Sequence, residues 1–371
     1  MTILSEGHLA RLPATPPDRS GWPWTEETHP AIYTARETWP RISIVTPSFN
    51  QAAYIEETIR SVLLQNYPNL QYIVIDGGST DDTVNILEKY SPWIDYWISE
   101  PDRGQSHAIN KGLARCDGEW FNWLNSDDCL LLGALVEIGR QETPSAILSA
   151  AELTGATLQA TRPLGRTKFA ATLEETFVEH YICQQGLFFR TELVKSLGGL
   201  REELSCVMDL DLLVRALLRV GLDSVTEIPA VVAFFRRHSA AKTVTLNPRF
   251  KQEERALFHS LAETLKLDAR LQAHLAGGAP ALAPADYCNR LEPTRLGYAL
   301  ATKFWWNGAV ESAWQARDFR RFKREIARFF TAFPECTGKR FRSLKRWAKL
   351  PVCVLKAVSL FRSPPPMGDA A

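Results

Sequence analysis

No apolar run in this chain is long enough to span a bilayer, and no charged-then-apolar leader opens it, so an integral membrane protein is not expected. CxxC spacing is also missing: the seven cysteines, at 116, 129, 183, 206, 288, 336 and 353, are scattered. Neither a zinc site nor a disulfide framework is therefore indicated, and the thiols read as the reduced cysteines of a cytoplasmic protein. Net charge is nearly absent at +1, but this balance conceals an asymmetry. Of the 43 basic and 42 acidic residues, 14 and 3 respectively fall in residues 315–362, a local surplus of 11 positive charges; the remaining 29 and 39 leave the body at −10. A basic stretch on an acidic body points to an anionic partner for that stretch.

What is present fits a soluble globular protein: 371 residues, 45% hydrophobic and 23% charged, enough for two domains or for one with a large appendage. The stretch Glu119–Asp128, EWFNWLNSDD, organises the rest. Trp120, Phe121, Trp123 and Leu124 read as a buried strand that ends abruptly in Asn125, Ser126, Asp127 and Asp128. Open α/β sheets bind ligands outside the carboxyl ends of their strands. Mg²⁺ and Mn²⁺ take oxygen ligands there, commonly one or two carboxylates plus phosphate oxygens. An Asp pair alone is more often a turn or a helix cap, so the neighbouring segments decide.

Those neighbours repeat the pattern. A strand over Arg41–Thr46 stops at Pro47-Ser48-Phe49-Asn50, and Ile55, Ile59, Val62 and Leu63 follow at helical spacing. A second strand, Tyr72–Ile75, ends in Asp76 and two glycines, whose backbone can approach a ligand closely. Val84, Ile86, Leu87 and Tyr90 mark the next helix. A third strand, Tyr96–Ser99, leads through Glu100–Gly104 into a helix over Gln105–Arg115. Four alternations of strand and helix predict an α/β domain with a mostly parallel central sheet flanked by helices. Polar clusters at all four strand ends would then surround one crevice. Further on, Ala146–Glu152 and Ala156–Arg162 read as a strand pair and Gln184–Arg190 as a strand entered by an amide pair. Met208-Asp209-Leu210-Asp211 opens a helix, where Asp209 is also a natural cap, and Val225–Arg237 is a last strand. Residues 248–268 read as helical, and the Ala- and Gly-rich 275–285 as a linker. The expected organisation is an irregular N-terminal arm over 1–40, held by Trp22 and Trp24, a catalytic domain over 41–245, and a helical C-terminal region over 246–371 with a basic amphipathic tail.

PSFNQ (47–51), VIDGGSTDDT (74–83), SEPDRGQSHAINKG (99–112) and WLNSDD (123–128), continued by QQGLFFR (184–190), MDLDLLVR (208–215) and FRRHSAAKT (235–243), together resemble the family 2 glycosyltransferases of GT-A fold. The likeness covers roughly residues 40–245. It implies transfer of a sugar from a UDP-, GDP- or dTDP-sugar donor to a saccharide or lipid-linked acceptor hydroxyl, with inversion, in the setting of cell-surface polysaccharide assembly. Carried onto this chain, it implies that Asp76 contacts the nucleobase, with Pro47 and Asn50 in the same wall, and that Asp102 and Lys111 line the nucleotide site. It further implies that Asp128 binds Mg²⁺ or Mn²⁺ at the diphosphate, that Asp127 holds ribose or sugar hydroxyls, and that His238 approaches the diphosphate or is structural. Asp209 stands at the general base, where Met208 replaces the usual Glu, with Asp211 as the alternative base; Asn125 replaces a frequent Asp.

Other classes fit less well. A nucleotidyltransferase would show a Gly-rich, basic loop near the first strand, and TPSFNQ has neither Gly nor Lys. A non-catalytic carbohydrate-binding protein predicts a broken carboxylate set, which is intact here. Nucleic acid is not an expected partner, since the body has no aromatic–basic stacking platform. In the tail, Phe319, Phe322, Ile326, Phe329, Phe330 and Phe333 fall on one helical stripe, with Arg317, Arg320, Arg321, Arg324 and Arg328 elsewhere on the wheel. That pattern predicts an in-plane helix on an anionic membrane surface, on the inner face of the cell membrane, unless the phenylalanines pack on the protein. A second basic–apolar segment, 341–361, has the same composition.

Overall fold

The computed structural model describes residues 6–239, 241–245, 247–276 and 290–333, together with 282, 346, 349–352, 354 and 355. Most of the linker candidate at 275–285 and most of 341–361 lie outside the described residues. Two compact units divide the chain: Met1–Phe169 with His180–Phe250, and Ala170–Glu179 with Lys251–Ala371.

The first unit opens as an alternation of strand and helix: β1 (Ile42–Ser48), α1 (Ile55–Leu63), β2 (Leu70–Asp76), α2 (Thr83–Tyr90), β3 (Tyr96–Ser99), α3 (Gln105–Arg115) and β4 (Trp120–Trp123). β1 pairs in parallel with β2 and β4, and β2 with β3. Every residue of β1 and β4 is buried, as expected where helices cover both faces of a parallel sheet. The remaining elements of this unit are β5 (Cys129–Leu130), α4 (Ala134–Gly139), β6 (Ile147–Gly155) and β7 (Thr161–Arg166). After α5 (Leu173–Val178), which belongs to the second unit, come β8 (Leu187–Arg190), α6 (Thr191–Ser196), α7 (Met208–Val220), β9 (Val225–Arg236) and α8 (Lys242–Thr245).

The sheet runs β3-β2-β1-β4-β8-β6-β9-β5, with β7 on β6. Its first half is parallel, as the alternation requires. In its second half β8 pairs antiparallel with both β4 and β6, while β6 and β9 are parallel, so the sheet is mixed. The β6–β7 hairpin differs from the sequence expectation. β6 runs on to Gly155, and the chain turns over 156–160, where the Ala160 amide donates to the Thr157 carbonyl. A Cβ at Gly155 would meet the Ala160 carbonyl oxygen at 2.1 Å, so only glycine allows so tight a return.

The N-terminal arm contains a short 3₁₀ turn, Pro30–Ala35, and is integral to this unit. Arg60 on α1, 1% exposed, donates to the carbonyls of Pro13, Pro23 and Trp24 and to the Tyr90 hydroxyl. Its guanidinium also stands 5.2 Å from the Trp24 ring, and the Trp22 indole donates to the Leu130 carbonyl. Arg60→Met is expected to leave the Pro13 and Pro23 carbonyls without this donor, at about 1–3 kcal/mol each when fully desolvated, while the Trp24 carbonyl keeps the Thr15 hydroxyl. Urea unfolding should therefore show a loss of several kcal/mol; an unchanged midpoint would mean that the arm is not held this way.

The second unit contains α9 from residue 251 onward (the helix spans Asn247–Thr264), α10 (Ala269–Leu275), α11 (Pro293–Leu300), a wide-turn helix over Ala301–Glu311, α12 (Ser312–Gln315) and α13 (Phe319–Ala332). Asp318 caps α13 by accepting from the Arg321 amide. Here the structure corrects the tail expectation. Phe319, Phe322, Ile326, Phe329 and Phe333 are buried, with Trp314 beside Phe319 and Phe322, and Trp305 and Trp306 beside Phe329. The stripe is a core seam of this unit, so it is not a face open to lipid. Arg317, Arg320, Arg321, Arg324 and Arg328 are exposed. Among the described residues no helix is long and apolar enough to cross a membrane.

Candidate active site

The carboxyl ends of the parallel strands open onto a cavity of about 810 Å³. Pro47, Asp102, Asp127, Asp209 and His238 line it, drawn from five separate segments of the first unit. Asn50, Asp76, Lys111, Asp128 and Asp211 stand around it and do not line it.

The two adjacent aspartates part company. Asp128 is 1% exposed; its Oδ1 accepts from the Arg236 amide at 2.8 Å, and its Oδ2 from Gln185 at 2.5 Å and Asn125 at 3.0 Å. Burial, followed by the charge of Asp127, pushes its pKa up. Three internal donors already occupy the Asp128 carboxylate, and it does not line the cavity. Asp127 is the carboxylate presented to the cavity, with its Oδ2 2.9 Å from His238 Nε2. The His238 ring lies 4.8 Å from that of Tyr54. Arg236 fixes the local backbone: its Nε donates to the Asp127 carbonyl at 2.7 Å, and its Nη2 pairs with Glu57 on α1 at 2.6 Å.

The expected base and its alternative separate in the same way. Asp209 lies in the first turn of α7 and faces the cavity; burial pushes its pKa up to about 6. Asp211 is fully buried and ion-paired with Arg215 at 2.6 Å, and Arg215 in turn donates to the Leu197 and Gly199 carbonyls. It ties α7 to the preceding loop and does not line the cavity.

At the end of the cavity formed by β1 and β2, Asp76 is buried. Its carboxylate accepts from the Gly78 and Ser79 amides and from the Ser79 and Ser99 hydroxyls, so it shapes the loop after β2. Asn50, at φ 52°, receives the Thr80 amide and ties the loops after β1 and β2 together. The wall there is Pro47, Ser48, Phe49, Gly77 and Asp102. A Cβ at Gly77 would lie 2.7 Å from Asp102 Oδ2, so the absence of a side chain at 77 lets the Asp102 carboxylate sit against that loop. Lys111 pairs with Glu100 at 2.8 Å.

Two cavity residues, Gln185 and Glu152, and Arg236 behind the cavity wall escaped the sequence reading as site residues. Gln185 was seen only as half of an amide pair, and Arg236 only as part of a motif. Glu152, 1% exposed, ends the strand as read from the sequence with a carboxylate, as the recognised strands do, although β6 itself continues to Gly155.

The comparisons with known proteins agree with this geometry. The family model described as glycosyl transferase family 2 matches residues 43–138. An uncharacterised glycosyltransferase of Mycobacterium tuberculosis is 32% identical over 183 residues, covering 48% of this chain and 70% of that protein. A Campylobacter jejuni GalNAc(5)-diNAcBac-PP-undecaprenol beta-1,3-glucosyltransferase is 35% identical over 100 residues, 26% of this chain and 32% of that one. Residues 1–349 of Staphylococcus aureus TarS share the fold, with a TM-score of 0.52 at 17% identity over 86% of this chain and 88% of that one. The chain thus has a GT-A-like fold and belongs to glycosyl transferase family 2.

Proposed function

We propose that this chain transfers a sugar from a nucleotide-diphosphate donor to a hydroxyl of a saccharide or lipid-linked acceptor, with inversion, in cell-surface polysaccharide assembly. The observation that carries this reading is the convergence of Asp127, His238 and Asp209 on one cavity although Asp127 and Asp209 are some eighty residues apart. Sugar transfer needs a charge-stabilising end and a proton acceptor in one enclosed space. The relatives supply the setting: besides the Campylobacter enzyme, a putative teichuronic acid biosynthesis glycosyltransferase of Bacillus subtilis is 42% identical over 93 residues.

Among the described residues no three His, Cys, Asp or Glu side chains converge as a ready-made cation cage. A cation on a diphosphate needs fewer protein ligands, because phosphate and water oxygens supply the rest. Asp127, with His238 beside it, fits that demand. Bound there, Mg²⁺ or Mn²⁺ would offset the negative charge that develops on the departing diphosphate. His238 and Lys242 line the same cavity and offer N–H donors to phosphate oxygens, while Pro47, Phe49 and Asp102 form the wall for the nucleoside. Asp209 accepts the proton of the acceptor hydroxyl as that oxygen attacks the anomeric carbon. Displacement from the face opposite the diphosphate inverts the centre.

Incubation with UDP-, GDP- and dTDP-sugars plus Mn²⁺, read by nucleoside diphosphate release and by the anomeric configuration of the product, tests this proposal. A nucleotidyltransferase would instead release pyrophosphate from a nucleoside triphosphate. A binding protein would release nothing.

The acceptor side of the proposal includes an anionic membrane surface met by residues 315–362, of which Arg317, Arg320, Arg321, Arg324 and Arg328 are exposed. With the phenylalanines buried, attachment would be electrostatic, at about 1 kcal/mol per basic residue near the surface. Liposome flotation should show binding to phosphatidylglycerol vesicles that is released by high salt. Arg317, Arg320, Arg321 and Arg324 changed together to Glu should abolish it, whereas binding that survives charge reversal would refute the idea.

A further inference from the structure

Glu152 is the buried acid that neither the fold nor the transfer chemistry described above accounts for. It lies near the end of β6, 1% exposed, on the wall of the cavity that holds Asp127 and Asp209. Its Oε1 accepts the Gly186 amide at 2.7 Å, while Oε2 is buried without a hydrogen-bond partner. Gly186 is held close on the other side too: a Cβ there would meet the Ala150 carbonyl oxygen at 2.4 Å. The backbone therefore comes near enough to clamp one carboxylate oxygen and orient the other. A buried carboxylate oxygen without a donor is costly to the fold. Such an atom is retained where a ligand completes it. Burial first, with the charges of Asp128 and Asp209 adding, pushes its pKa up to about 8, and a hydroxyl donated to Oε2 would favour the ionised form and draw it back down.

Its place in the cavity narrows the ligand. The nucleoside wall is formed at the ends of β1 and β2, and the diphosphate end by Asp127 and His238. The sugar of a bound donor must lie between the diphosphate and Asp209, in the cavity that Glu152 also lines. Sugars present hydroxyl donors, which a carboxylate oxygen accepts well.

We propose that Glu152 is a donor-specificity residue, whose Oε2 accepts a hydrogen bond from a ring hydroxyl of the transferred sugar and selects hexosyl donors that carry that hydroxyl. This rests on the nucleotide-sugar reading given above. A site built to bond a hydroxyl rejects the analogue lacking it, because its own polar atom is then left unpaired.

The test is calorimetric titration with Mn²⁺ of UDP, GDP and dTDP, then of UDP-glucose, UDP-galactose, UDP-N-acetylglucosamine, GDP-mannose and dTDP-glucose, on wild type and Glu152→Gln. The Gln variant keeps an oxygen for the Gly186 amide and turns an N–H₂ toward the sugar. Nucleoside diphosphate affinity should stay within about twofold, and the additional affinity given by the sugar should fall at least tenfold. As a measurement that needs no variant, the deoxyfluoro analogues of the preferred sugar should include one that loses at least tenfold on wild type. Unchanged sugar affinity in Glu152→Gln, or no deoxyfluoro analogue that loses more than threefold, overturns the Glu152 assignment alone. Failure of wild type to bind any nucleoside diphosphate or nucleotide sugar overturns the donor reading and this assignment with it.

Discussion

Replacing Asp209 with Asn is expected to lower kcat by about 10²–10⁴-fold, the usual contribution of a positioned general base. Donor affinity should change little, because the acceptor's proton is transferred only as the bond to the anomeric carbon forms. The structure makes the companion variant informative. Asp211 is locked to Arg215 away from the cavity, so Asp211→Asn should lower stability and leave the proton transfer in place. A dead Asp211→Asn that folds normally, beside an active Asp209→Asn, would reverse the two roles. The pH profile gives an independent check. Asp209 works as a base only when ionised, and burial places its pKa at about 6. Activity should therefore be flat above that pH and fall tenfold per unit below it, and this acid limb should vanish in Asp209→Asn.

Asp127→Asn should abolish the dependence of nucleotide binding on Mn²⁺ while the protein stays folded, because a neutral amide is a poor ligand for a hard cation. Turnover is expected to fall by orders of magnitude with it. Asp128→Asn should behave differently. It places an N–H₂ where the carboxylate now accepts from Gln185 and Asn125, and the resulting mismatch should cost about 1–3 kcal/mol of stability. Mn²⁺ affinity should stay within a few fold of wild type. Urea unfolding and Mn²⁺ titration in the presence of UDP separate the two effects. Loss of cation binding in Asp128→Asn alone would restore the assignment that the motif by itself suggested.

This pair shows where sequence reasoning stops. The parallel half of the sheet was legible, because each buried apolar run ends in a polar cluster and the helices between them keep their spacing. That two aspartates end β4 was equally plain. Which of them faces the ligand was not, because the choice is made by Gln185 and by the Arg236 amide, 57 and 108 residues further along the chain. Asp76 has a similar surrounding that its strand did not announce: its oxygens accept from Gly78, Ser79 and Ser99. In α13, periodicity showed the apolar stripe correctly but carried no information on what would cover it. The covering tryptophans at 305, 306 and 314 lie in segments whose own pattern did not single them out.

The clamp made by Arg236 has a consequence for exchanging parts between relatives. The segment matched by the family model ends at residue 138, before β6, β8 and β9. Arg236 on β9 nevertheless holds the Asp127 carbonyl and the Asp128 carboxylate, and is itself anchored to Glu57 on α1. A chimera joined at the edge of the motif block would bring its own Asp pair and its own Glu57, and then meet a foreign β9. Unless the incoming strand carries an arginine in the same register, the Glu57 charge is left buried alone and the Asp127 loop loses its tether. The transplantable unit is thus set by this clamp, and it runs from α1 to the end of β9.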